Sequence, residues 1–161
     1  MEQEVLPSKM RAQYQTDILL GAGSSGVVLK AWQTLEGNIR QPVAIKLMYP
    51  QTASRFSEDE EKLLQRECLA MSKIHSQFVV SFVDTVTTSS VFGIVMEYLD
   101  GVSLEEMIDA HDDDGLPAMS ETEALACCKD ILEGLYAMHA QGLVHRDIKP
   151  GNIICVQATG K

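Results

Sequence analysis

One stretch of this sequence places side chains that could act together on a substrate: His145-Arg146-Asp147-Ile148-Lys149-Pro150-Gly151-Asn152. An acid and an amide stand five residues apart, with a lysine between them and a Pro-Gly pair that favours a tight turn. The set suits phosphoryl transfer. That reaction needs an acceptor for a hydroxyl proton, which Asp147 offers, and oxygen ligands for magnesium, of which the Asn152 side chain is one. Lys149 adds a cation beside the moving phosphoryl group. A turn alone would explain Pro150-Gly151, but not His, Arg, Asp, Lys and Asn together at these spacings.

A phosphate donor must be held elsewhere in the chain, and three upstream stretches have the means. Leu19-Leu20 run into Gly21-Ala22-Gly23-Ser24-Ser25-Gly26-Val27-Val28, a G-x-G-x-x-G-x-V pattern whose glycines let backbone N–H groups approach a phosphate. A dinucleotide-binding turn shares these glycines but leads into a helix, whereas Val27-Val28-Leu29-Lys30-Ala31-Trp32 is apolar and strand-prone. The expected form is a hairpin lid. After a turn around Glu36-Gly37-Asn38, Pro42-Val43-Ala44-Ile45-Lys46-Leu47-Met48 reads as a strand. Lys46 within it must meet solvent or anions, and the small Ala44 leaves room for a flat ring.

A helix is expected after Ser57, where Ser57 and Glu60 spell a capping box and acids fill the first turn. Leu64, Cys68, Met71 and His75 recur at helical spacing, and Glu67 lies at the edge of that stripe, able to face inward and pair with Lys46. Strands are expected over residues 79–85 and 91–97, completing five, and Gly101 frees the chain to turn after Met96-Glu97-Tyr98-Leu99-Asp100. This reads as a hinge whose backbone at Glu97 and Leu99 can offer a carbonyl and an N–H to an adenine edge. Ser103 starts a short helix to about Ala110, and the acidic run His111-Asp112-Asp113-Asp114-Gly115 reads as a solvated loop, since the ligand spacing of a calcium loop is absent. Ser120 and Glu123 form another capping box, opening a helix with Leu125, Cys128, Leu132, Leu135 and His139 on one face; its cysteines and His139 read as core. Gln141-Gly142 ends it, and Ile153-Ile154-Cys155-Val156 is a short strand in which Ile154 can form an apolar floor beneath a base.

Composition narrows the classes. With 161 residues the chain holds one sizeable core, or one small lobe and part of a second. A net charge of -10, without clustered Lys and Arg, argues against nucleic-acid binding. The four cysteines show no C-x-x-C spacing, so neither zinc nor a disulfide framework is signalled, and free thiols suit a cytoplasmic setting. No apolar run reaches the roughly 18 residues of a membrane span, so no membrane partner is expected.

With glycine lid, V-A-I-K, helix glutamate, hinge and catalytic loop in that order, residues 14–161 resemble the amino-terminal part of a eukaryotic-type Ser/Thr protein kinase. The resemblance implies an α+β, protein-kinase-like fold: a five-stranded antiparallel N-lobe with helix C over residues 14–97, a hinge at 98–102, and the first helices and catalytic loop of a mainly helical C-lobe over 103–161, after a lead-in at 1–13. It implies ATP and Mg2+ as cofactors and a protein Ser/Thr substrate, the Lys149-Pro150 pair fitting the Ser/Thr class. Leu20, Gly21, Ala22, Gly23, Ser24, Ser25, Gly26 and Val28 would roof the ATP, Ala44, Met96, Glu97, Leu99 and Ile154 would surround its base, Lys46 would hold phosphates and Glu67 would orient Lys46. Asp147 would be the catalytic base, Lys149 a charge stabiliser and Asn152 a magnesium ligand; Met96 takes the gatekeeper position, and Arg146 implies control by activation-loop phosphorylation. The sequence contains no Asp-Phe-Gly, so a truncated kinase, inactive alone, is expected. A small-molecule phosphotransferase of the aminoglycoside or choline type, and a non-catalytic nucleotide- or partner-binding module, are the alternatives.

Overall fold

The computed structural model describes residues 13–23, 26–50, 55–88, 90–110 and 119–156. The lead-in at 1–13, except Gln13, the site residues Ser24 and Ser25, and the acidic loop at 111–115 lie outside them. The chain divides into two compact units, one running to Lys73 and including Ser81–Tyr98, the other formed by Ile74–Val80 and the chain from Leu99 onward.

Strands β1 (Tyr14–Gly23), β2 (Gly26–Thr34), β3 (Arg40–Met48), β4 (Phe82–Thr87) and β5 (Phe92–Glu97) form an antiparallel sheet in the order β1-β2-β3-β5-β4. Period-two alternation decides its faces: Leu29 and Ala31, then Val43, Ile45 and Leu47, then Val95 all point to one side and are buried. Burying each larger member of that set contributes about 1.5–3 kcal/mol. Gln33 shares this side and is 5% exposed, so its amide must be satisfied internally. It is: Gln41 Nε2 donates to Gln33 Oε1 at 2.7 Å, Gln33 Nε2 donates to the Tyr14 hydroxyl at 3.1 Å, and that hydroxyl donates to Asp84 Oδ2 at 3.1 Å. Tyr14 and Asp84 sit on the two edge strands, so the sheet curls until its edges meet across the core.

Helix α1 (Glu58–Met71) starts as its capping box requires: Glu60 N–H donates to Ser57 Oγ at 3.3 Å, and Ser57 N–H donates to Glu60 Oε2 at 2.7 Å. The same reciprocal pair opens α2 (Leu104–Asp109) with Ser103 and Glu106, and α3 (Glu121–His139) with Ser120 and Glu123. Each of these glutamates accepts a backbone N–H and a serine hydroxyl, which holds its carboxyl below the usual range. Cys68 is the buried member of α1; Met71 closes the helix, leaving His75 exposed beyond it rather than on the expected stripe.

Two further expectations change in the second unit. The strand expected from residue 79 begins at Phe82, because residues 74–80 belong with α3 instead: Gly134, the buried residue of α3, is so close to the Phe78 carbonyl that a Cβ there would stand 2.9 Å away. Burying that side of α3 turns the other outward, so Leu125, Leu132 and Tyr136 are 65%, 64% and 74% exposed, and Cys128 and His139 are exposed rather than core. Residues 101 and 102 of the expected hinge lie in a strand, β6 (Gly101–Ser103), paired antiparallel with β7 (Ile154–Val156). Among the described residues no helix is long and apolar enough to cross a membrane.

Candidate active site

The sheet face opposite the core gathers most of the residues expected around the nucleotide. Val28 on β2 stands in register with Lys46 on β3, and Lys46 with Ile94 on β5. The next row, toward the end of β5, is Lys30, Ala44 and Met96. Val28, Lys30, Lys46, Ile94 and Met96 are half-buried and Ala44 is 8% exposed, so the face is an apolar surface carrying two cations, Lys46 and Lys30, in adjacent rows. Ile94 was not singled out from the sequence, although it lies two residues before Met96 and alternation puts it on the same side.

The glycine hairpin divides its labour. A Cβ at Gly21 or Gly23 would meet nothing within 4 Å, so backbone at the end of β1, with Leu20 and Ala22 exposed beside it, is open to a ligand. Gly26 has φ +126°, and a Cβ there would run into the Leu47 carbonyl oxygen, so this third glycine is demanded by the packing of β2 on β3. Glu97 falls on the opposite parity: its carboxylate accepts the Ser81 N–H at 2.7 Å and its own N–H donates to the Ser81 carbonyl at 3.0 Å. Any hinge role for Glu97 therefore falls to its carbonyl.

The expected Lys46–Glu67 pair is not formed. Among the described residues the ion pairs are Lys62–Glu58 and Lys149–Asp147, each at 3.6 Å. Helix α1 packs on β4, around a groove lined by Gln65, Cys68, Leu69, Ser72, Phe82 and Thr85. Glu67 stays half-buried beside Cys68, whose thiol is pushed up to about 11 by burial and then by the Glu67 charge.

At the end of β5 lies a contact that sequence spacing did not suggest. The Lys30 ammonium stands 4.3 Å from the centre of the Tyr98 ring and 5.8 Å from that of Trp32. Trp32 is itself fixed by an Nε1–H bond to Asp17 Oδ2 at 3.3 Å and by the Arg40 guanidinium at 5.4 Å.

In the second unit the expected catalytic groups are assembled within eight residues. Asn152 Nδ2 donates twice to Asp147, to its backbone carbonyl at 2.7 Å and to Oδ2 at 2.9 Å. Lys149 Nζ is 3.6 Å from the same Oδ2, and the Asp147 N–H donates to His145 Nδ1 at 3.3 Å. A one-turn 3-10 helix at Pro150–Asn152 brings Asn152 back over Asp147, and Arg146 reaches φ +65°, a conformation that costs a non-glycine residue about 1 kcal/mol or more. The Leu104 N–H donates to the Ile153 carbonyl at 2.8 Å, tying the start of α2 to the end of the loop. The Asn152 hydrogen bond, with help from the Lys149 charge, holds the Asp147 carboxyl below its usual range. Asp147 is thus an ionised acceptor at any physiological pH, aimed by neighbours that are all local. Leu99 and Ile154 are placed in this unit, Leu99 half-buried at its start and Ile154 39% exposed on β7 in register with Ser103.

Comparison with known proteins agrees with this chemistry. The chain is 34% identical over 148 residues to the serine/threonine-protein kinase shk1/pak1 of Schizosaccharomyces pombe, covering 92% of this chain and 20% of that protein. It is 33% identical over 135 residues to the serine/threonine-protein kinase pakA of Talaromyces marneffei, covering 84% and 19%, and 32% identical over 148 residues to the serine/threonine-protein kinase STE20 of Candida glabrata, covering 92% and 15%. The chain spans a fifth or less of the length of these relatives. Residues 14–161 match the model of the protein kinase domain, and with the glycine hairpin, the Lys46 face and the Asp147 loop all in place the chain belongs to the protein kinase domain family.

Proposed function

We propose that this chain supplies the nucleotide-binding face and the catalytic loop of a Ser/Thr protein kinase, which transfers the γ-phosphoryl group of ATP to a hydroxyl of a protein substrate. The observation that carries the reading is the Asp147–Asn152–Lys149 cluster, in which an ionised carboxylate, a cation and an amide converge without help from distant elements. Asp147 accepts the hydroxyl hydrogen bond and then its proton, Lys149 offsets charge on the moving group, and Asn152 holds Asp147 in its rotamer. In the first unit Lys46 meets the phosphates, the open backbone at Gly21 and Gly23 covers them, and Val28, Ala44 and Met96 bound the base. Glu67 is the acid available to orient Lys46 should α1 swing toward β3.

Magnesium fits these residues in part. Both Nδ2 hydrogens of Asn152 are spent on Asp147, which leaves Oδ1 as a neutral ligand, while the Asp147 carboxylate is shared with Lys149. Among the described residues there is no cluster of three or more His, Cys, Asp or Glu that could hold a metal, so Asn152 would be one ligand of a larger set. When bound, magnesium would neutralise charge between the β- and γ-phosphates. The cytoplasm suits Cys68, Cys127, Cys128 and Cys155, all free thiols. A small-molecule phosphotransferase is the weaker reading, because the relatives are named as Ser/Thr protein kinases.

The test is calorimetric titration of the 161-residue chain with ATP, followed by a phosphotransfer assay on a Ser/Thr peptide in any longer protein that contains it. ATP should bind weakly to the chain, and transfer by the longer protein should be lost in Asp147→Asn. Transfer to the hydroxyl of a small amino alcohol such as choline, and not to peptide, would overturn the protein-kinase reading.

A further inference from the structure

Lys30 belongs to none of the groups used so far, yet it stands in the middle of the nucleotide face. It is two residues beyond Val28 on the same side of β2, in register with Ala44, which is in register with Met96. Tyr98 follows two residues after Met96 and is the last residue of the first unit. Between Lys30 and Met96 there is only the Ala44 methyl, so the lysine stem can lean across the sheet, and its ammonium reaches 4.3 Å from the Tyr98 ring centre. Among the described residues Lys30 has no ion pair and the Tyr98 side chain no hydrogen bond, so the cation is the directional contact that orients this ring.

We infer that Lys30 is a positioning residue for the nucleotide: its cation–π contact straps Tyr98, just past the adenine-side strand β5, to β2, the strand that roofs the phosphates. The strap sets the outer rim of the purine's place and couples it to the glycine hairpin, so that when the roof strand moves the rim moves with it. Trp32, held independently by Asp17 and Arg40, backs the lysine from the outer side. Purine contact is thereby made sensitive to a residue that need not touch the purine. The inference rests on the ATP-binding reading above.

A double-mutant cycle on the 161-residue chain tests it, with ATP and magnesium as the probe and Kd as the readout. Lys30→Met keeps the stem and removes the cation, and Tyr98→Leu keeps bulk and removes the ring; each should weaken binding by about threefold to tenfold. Lys30→Arg should stay within about twofold of wild type, and the double variant should bind no worse than the poorer single variant, because both remove one contact. In the absence of nucleotide, the Lys30 ε-methylene proton resonances should lie upfield under the Tyr98 ring current and return to their ordinary position in Tyr98→Leu. Losses that multiply in the double variant, unchanged affinity in both singles, or no upfield shift in the wild-type chain would each overturn the strap while leaving the ATP reading intact. A wild-type chain that binds no ATP at millimolar concentration would overturn the ATP reading and the strap together.

Discussion

The proposed nucleotide face and the proposed catalytic loop are built in opposite ways. The face draws Val28, Lys46 and Ile94 from three strands, and Lys30, Ala44 and Met96 from the same three, so it exists only while the register of β2, β3 and β5 holds. The loop draws Asp147, Lys149 and Asn152 from six consecutive residues and ties them with hydrogen bonds and an ion pair that start and end inside the loop. The first is a property of the sheet, the second of a turn. Damage to core packing should therefore disperse the face before it disturbs the loop, while a single loop substitution should abolish chemistry and leave the sheet untouched.

The sharpest way to use that contrast is Asp147→Asn. It removes the anionic acceptor while keeping shape, so phosphotransfer by the longer protein should fall by about 10²–10⁴-fold, and calorimetry should find ATP affinity within about twofold of wild type. A comparable fall in affinity would mean that the two regions are not separable. Lys46→Met should do the reverse in the 161-residue chain. If Lys46 contacts phosphate as proposed, the change deletes a charge-assisted contact, so ATP affinity should drop by about ten- to a hundredfold with unchanged circular dichroism.

Gly26→Ala probes the register itself. The new Cβ would press on the Leu47 carbonyl at a backbone angle that L-residues avoid, so urea unfolding should report about 2–3 kcal/mol lost. ATP affinity should fall with it, whereas Gly21→Ala, which meets nothing within 4 Å, should change stability much less. The smallest effect belongs to the helix starts. Ser120→Ala removes one of the two reciprocal bonds at the head of α3 and should cost about 1 kcal/mol by the same measurement, without altering nucleotide affinity.

The same contrast explains what could be read in advance. Groups fixed by local rules were legible: the capping boxes at Ser57 and Ser120, the glycine hairpin, and the turn at Pro150-Gly151 that holds Asp147 and Asn152 five residues apart all follow from residues a few positions apart, although the bond between Asp147 and Asn152 was not anticipated. Ser103 with Glu106 obeys the same rule, though only its helix start was anticipated. Groups fixed by packing were not legible. The lack of a side chain at Gly134 lets Phe78 come close to α3, and Glu67 forms no ion pair with Lys46. Nothing in the spacing of Glu67 could show this, because helical periodicity fixes the face of a helix and not its placement on the sheet. Lys30 and Tyr98 meet for the same kind of reason, since their contact depends on β3 carrying a residue as small as alanine between them.

The bond between Tyr14 and Asp84 makes the curled sheet sensitive to alkali. Burial, followed by the adjacent Asp84 charge and the hydrogen bond to it, drives the Tyr14 phenol well above its ordinary value of 10.0. Folding thus keeps a proton that the unfolded chain releases once the pH passes about 10, so the stabilisation is complete below that value and is lost progressively above it. One proton per molecule gives a slope of up to about 1.4 kcal/mol per pH unit. Urea midpoints measured above pH 10 should therefore decline more steeply for the wild-type chain than for Tyr14→Phe, which has no phenol to ionise. Equal slopes would mean that the Tyr14 phenol ionises at the same pH in the folded and the unfolded chain.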